Sequence, residues 1–106
     1  MTKTMSSEEV QRVLAENRAK IDDIDRRMVE LLNQRAGAVL EIGRAKEAVN
    51  IAVYDPKREE IVFRNVLGAN AGPLAGDALR RVFERIIDEM RNLENQDRKT
   101  AAHGDS

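Results

Sequence analysis

The strongest constraint on this fold is one unbroken helical pattern. From about residue 8 to Val49 there is no proline, and apolar side chains recur at seven-residue spacing. One row reads Ile21, Met28, Arg35, Ile42, Val49. A second reads Ile24, Leu31, Ala38, Ala45, and a third Arg18, Asp25, Leu32, Val39, Lys46. Together they make the wide apolar stripe of a core-facing helix. Ser6 and Glu9 have capping-box spacing and mark its start. A helix of about 40 residues is roughly 60 Å long, against a radius of gyration of about 13 Å for a compact domain of this size. The rest of a 106-residue chain cannot cover such a rod. A second copy, antiparallel or crossing, is the simplest cover, so helix length alone predicts a homodimer. Gly37 and Gly43 lie inside the helix, where each costs roughly 1 kcal/mol against alanine, and are candidates for close backbone approach.

The remainder reads as two shorter helices. Asn50 to Tyr54 is a short loop. Asp55-Pro56 has the form of an N-cap followed by proline at the first helical position. The helix that follows carries Ile61, Val62, Phe63 and Val66 and stops near Gly68. Gly72-Pro73 marks a turn, and a third helix carries Leu79, Val82, Phe83, Ile86, Ile87, Met90 and Leu93. Its pattern fades near Gln96, leaving Asp97 to Ser106 as a polar, frayed tail. Only 3% aromatic residues and two prolines agree with this all-α reading of a single domain, residues 1–106.

Composition narrows the function classes. With 18 basic and 19 acidic residues there is no electrostatic footprint for nucleic acid. The absence of cysteine excludes disulfides and thiolate metal sites, and the one histidine, His103, lies in the polar tail. No apolar run resembles a secretory signal or approaches the roughly 20 residues that span a bilayer. A cytoplasmic protein without membrane association is the expectation.

The informative residues are charges that interrupt apolar rows. Arg35 shares a row with Met28 and Ile42. Lys46 shares one with Leu32 and Val39, and Arg18 heads it. On the third helix Glu94 continues the row of Phe83, Ile87 and Met90. A buried charge is costly unless it is paired or hydrogen-bonded. Each has an ordinary alternative. Arg18 can lie on the solvated part of a frayed first turn, and Arg35 can form a structural ion pair. Lys46 can complement the helix dipole, and Glu94 can be solvated. Asp55 can be only a cap, and Arg58 and Glu59 only a first-turn surface pair. Taken together, three cations in apolar rows without an acidic excess suggest a ligand that brings negative charge.

The stretches Arg18–Asp25, Leu31–Arg35 and Glu41–Lys46 resemble the long first helix of the all-helical chorismate mutase family. Val53–Glu60 resembles the start of its second helix, and Phe83–Ile87 with Leu93-Glu94 its third. The likeness covers about residues 12–96. Tyr54–Glu59 looks most like the mutase domain fused to some bacterial DAHP synthases, which makes such a synthase a candidate partner. The resemblance implies an intertwined homodimer of three-helix chains. Arg35, Lys46, Asp55, Arg58, Glu59, Met90 and Glu94 would line one site, and Arg18 would reach in from the other chain. Arg18 and Arg35 would grip substrate carboxylates, and Arg58 would support that side. Lys46 would contact a carboxylate and the ether oxygen. Glu59 and the Asp55 backbone would hold the ring hydroxyl.

Two positions depart from the family pattern. Glu94 stands where many members have glutamine, and Met90 where some have serine. A carboxylate at position 94 helps a developing negative charge only in its protonated form, which burial favours. The implied reaction in aromatic amino-acid biosynthesis, chorismate to prephenate, is a unimolecular Claisen rearrangement requiring no cofactor, metal or nucleophile. Two other readings remain at this point. One is an isochorismate-pyruvate lyase on the same scaffold, and the other a non-catalytic helical interaction module.

Overall fold

A computed structural model describes residues 4–103. It contains three helices: α1 (Ser7–Ala48), α2 (Pro56–Gly68) and α3 (Gly76–His103). No strand occurs among the described residues, as the all-α reading expects. The chain divides into two compact units at Arg35 and Ala36, and α1 contributes residues to both.

The first unit is the N-terminal part of α1. Its start is the expected capping box: Glu9 N–H donates to Ser6 Oγ at 3.1 Å, and Ser6 N–H to a Glu9 carboxylate oxygen at 3.4 Å. Two of the otherwise orphaned donors of the first turn are thereby satisfied. The apolar stripe of this unit lies open. Ile21, Ile24 and Leu31 are 53%, 51% and 61% exposed.

The second unit joins the C-terminal end of α1 to α2 and α3. Helix α1 stops in a Schellman motif. Asn50 takes the left-handed conformation (φ 60°), Ile51 N–H donates to Lys46 O at 2.8 Å, and Asn50 N–H to Glu47 O at 3.2 Å. Asparagine tolerates that backbone region better than most residues, so the stop is written at position 50. Helix α2 begins as the sequence predicts, with Asp55 accepting from Arg58 N–H at 3.1 Å and Pro56 in the first turn. It packs on α3, where Ile87 is buried and the Arg80 guanidinium stands 4.3 Å over the Phe63 ring.

The third helix departs from the sequence reading. It continues beyond Gln96 to His103 instead of fraying. The reason is tethering. Arg98 donates to Gly43 O at 3.2 Å and to Ile51 O at 3.0 Å, and the Arg44 guanidinium lies 3.4 Å from the Asp97 carboxylate. These contacts hold a polar stretch that lacks an apolar stripe against the end of α1.

The two α1 glycines differ in purpose. A Cβ at Gly43 would stand 2.7 Å from Glu94 Cγ, whereas one at Gly37 meets nothing within 4 Å in the chain. Gly43→Ala is therefore expected to lower stability by about 1–2 kcal/mol, overpacking outweighing the gain in helix propensity. Gly37→Ala is expected to keep or raise it. Urea denaturation of the two variants checks this, and equal shifts would contradict the close approach at Gly43.

Candidate active site

The second unit collects charges on α3 and meets each with a group from another element. Helical positions 87, 91, 94 and 98 are spaced four, three and four apart and so share one face. Ile87 is buried, and the same face then turns from apolar to charged with Arg91, Glu94 and Arg98.

Glu94 is the most buried charged residue described, only 7% exposed. Its Oε2 lies 3.5 Å from Lys46 Nζ, and both side chains are largely shielded. That separation is an ionic contact but too long for a good hydrogen bond. Glu94 Oε2 accepts no hydrogen bond among the described residues. Lys46 Nζ also donates to Val53 O at 3.0 Å, which folds the side chain of the last α1 turn back over the loop. An ammonium has three donors, so this pair retains hydrogen-bonding capacity. The burial of Glu94 rules out the solvated alternative for it, while Lys46, in the last turn of α1, also stands where it complements the helix dipole. Met90, one turn before Glu94 on α3, is half-buried.

A second ion pair links α2 to α3. Arg91 Nε and one terminal nitrogen donate to the same oxygen, Glu59 Oε2, at 3.1 and 2.7 Å. The other terminal nitrogen reaches Asp88 at 3.4 Å, and the Tyr54 ring centroid is 5.1 Å from the Arg91 guanidinium carbon. The hydrogen bonds that Arg91 donates to Glu59, against the lowering effect of partial burial, raise the proton affinity of Arg91 above its already high ordinary level. Glu59 is thus more than a surface charge at a helix start.

The other sequence-predicted residues fall as follows. The Asp55 side chain is engaged as the α2 cap, leaving its backbone for any further role. Arg58 is exposed in the first turn of α2. Arg18 and Arg35 belong to the first unit, Arg18 exposed and Arg35 half-buried. Sequence reasoning missed Arg91 and Arg98. The signal for both was available: each lies four residues after a residue of the core-facing row, Ile87 or Glu94.

The sequence profile of the family described as chorismate mutase type II matches residues 17–95. The chain belongs to that family. It is 35% identical over 88 residues to a bifunctional chorismate mutase/prephenate dehydratase of Neisseria gonorrhoeae, an overlap of 83% of this chain and 24% of that protein. The chain therefore spans about a quarter of the length of that bifunctional relative. A chorismate mutase of Methanocaldococcus jannaschii is 32% identical over 84 residues, covering 78% of this chain and 85% of that one. In three dimensions the chain resembles chorismate mutase (form II) of Thermus thermophilus, with TM-score 0.75 and 33% identity over 79% of this chain and 94% of that chain. The Neisseria gonorrhoeae relative joins its mutase to a prephenate dehydratase and not to the DAHP synthase that Tyr54–Glu59 suggests.

Proposed function

We propose that this chain is a chorismate mutase, converting chorismate to prephenate in aromatic amino-acid biosynthesis. The observation that carries the reading is the shielded Lys46–Glu94 pair, 3.5 Å apart, with hydrogen-bonding capacity unspent on both partners. Family membership favours the mutase over the lyase and over a non-catalytic module.

The reaction breaks the ether C–O bond as a C–C bond forms within the same molecule. Two physical effects suffice. The flexible enolpyruvyl ether is held in its compact reactive shape, which converts conformational freedom into rate. Negative charge growing on the ether oxygen is met by fixed donors in a water-poor site. By the family resemblance, Arg18 and Arg35 grip the carboxylates through bidentate forks, and Arg58 supports that side. Lys46 donates to a carboxylate and to the ether oxygen. Glu94 supplies a second contact there, and Met90 replaces a hydroxyl contact by apolar wall. Glu59 and the Asp55 backbone take the ring hydroxyl. No cofactor is called for by this chemistry.

The proposal includes a homodimer. The open stripe of Ile21, Ile24, Met28 and Leu31 is the surface that a second copy would cover, and Arg18 would be supplied across the interface. Among the described residues no helix is long and apolar enough to cross a membrane; a cytoplasmic setting is part of the proposal. The likeness of residues 54–59 extends the proposal to a DAHP synthase partner.

Three outcomes are expected. Lys46→Ala reduces kcat by about 10²–10³-fold without loss of the helical fold, as removal of one transition-state donor does. A folded Lys46→Ala protein with unchanged turnover would refute the assignment. Glu94→Gln retains or raises turnover, because an amide N–H can donate to the ether oxygen. A folded Glu94→Gln protein that has lost turnover removes position 94 from the donor role. Sedimentation at micromolar concentration yields a dimer, and a folded monomer there overturns the shared site.

A further inference from the structure

Both Arg91 donors that reach Glu59 go to a single oxygen, Oε2. Neither bond engages Glu59 Oε1. The remaining terminal nitrogen of Arg91 is directed to Asp88, and the Tyr54 ring lies against the guanidinium. The fork is therefore restrained by α2, by α3 itself and by the loop residue just before α2. Unlike most ion pairs in this chain, this one is substantially shielded: the Arg91 and Glu59 side chains are 29% and 23% exposed. Two donors converging on Oε2 occupy that oxygen and, where partial burial weakens competition from water, hold it in place, which leaves Oε1 as the oxygen open to a ligand.

We propose that Arg91 is a positioning residue for Glu59: it occupies Oε2 and turns Oε1 into the single acceptor for the ring hydroxyl of the substrate. The inference rests on the reading of Glu59 as the hydroxyl-binding group, and it adds a residue outside the proposed substrate contacts. Arg91 acts through Glu59 and is not itself placed against the reacting atoms. Its consequence is specificity. A freely rotating Glu59 would offer either oxygen to water and would discriminate poorly between a hydroxylated ring and a bare one. A clamped Glu59 leaves one unsatisfied acceptor when the hydroxyl is missing.

The test compares chorismate with an analogue in which the ring hydroxyl is replaced by hydrogen. Wild type is expected to favour chorismate by about 10- to 100-fold in kcat/KM, the range for one hydrogen bond to a charged group. Arg91→Met keeps an unbranched apolar stem and removes the fork. It is expected to shrink that preference by about tenfold while leaving the analogue's kcat/KM within about twofold of wild type. Arg91→Lys, which keeps the charge but not the fork, should restore part of the preference. Glu59→Gln should abolish most of it, and adding Arg91→Met to that variant should change little further, since the two act as one unit. Equal loss on both substrates in Arg91→Met would mark a merely structural role and overturn the proposal. If Glu59→Gln collapses the preference and Arg91→Met does not, Arg91 alone is misassigned. If Glu59→Gln itself leaves the preference intact, the reading of Glu59 fails and takes the proposal with it.

Discussion

A Cβ at position 43 would stand 2.7 Å from Glu94 Cγ, so the passage of α3 beside the end of α1 depends on a side chain being absent there. That close approach brings a buried carboxylate to the last turn of α1, where Lys46 can meet it. It also brings the Gly43 carbonyl within reach of Arg98, which donates to it and to Ile51 O. The helix that supplies Lys46 is stopped just beyond it by Asn50 in the left-handed region. The residue at 43 and the residue at 50 thus fix, from either side, where the ammonium stands. A glycine that costs helix propensity is kept because the gain is made in tertiary contact.

The junctions of the second unit are unusual in being made of charge where a small core would use hydrocarbon. Ile87 is the one buried large apolar residue among those described, and the same face of α3 continues as Arg91, Glu94 and Arg98. Removing charge from water is expensive, and replacing a buried pair by apolar residues is often neutral or stabilising. Such a face is poorly explained by stability alone. It is better explained by the need to hold donors and acceptors in fixed directions, which ionic pairs with α1 and α2 do and an apolar contact does not.

Much of this was legible in the sequence because the governing signals are local. The capping box at Ser6 and Glu9, the Asp55-Pro56 start of α2 and the stop at Gly68 are each written in a few adjacent residues, and all three appear as expected. Lys46 and Glu94 were recognisable as charges in apolar rows. The extension of α3 to His103 was not, because its stabilisation is tertiary: Arg98 and Asp97 are ordinary polar residues until the end of α1 is beside them. Arg91 was missed for a related reason. A charge following an apolar helix face reads as the end of the stripe, when here the stripe continues with a different chemistry. Gly37 and Gly43 were indistinguishable in one dimension, and only the neighbour at Glu94 separates them.

The two carboxylates that face the neighbouring helices are held in opposite ways. Glu59 receives two N–H donors on one oxygen, whereas Glu94 Oε2 receives none and has only an ionic neighbour at 3.5 Å. A buried oxygen without a hydrogen bond carries a penalty of about 1–3 kcal/mol, and folding alone gives no reason to retain it. On the proposed function, a ligand seated beside Lys46 and Glu94 would give that reason. Its ether oxygen would take up the free donors of Lys46, and that interaction would be strongest with the charge that appears only as the ether bond breaks. On the same proposal, the carboxylate held by two donors is suited to recognising a group that stays unchanged through the reaction, and the pair of Lys46 with the unbonded carboxylate to the atom whose charge changes. Satisfaction of hydrogen bonds, more than burial or net charge, separates the two roles.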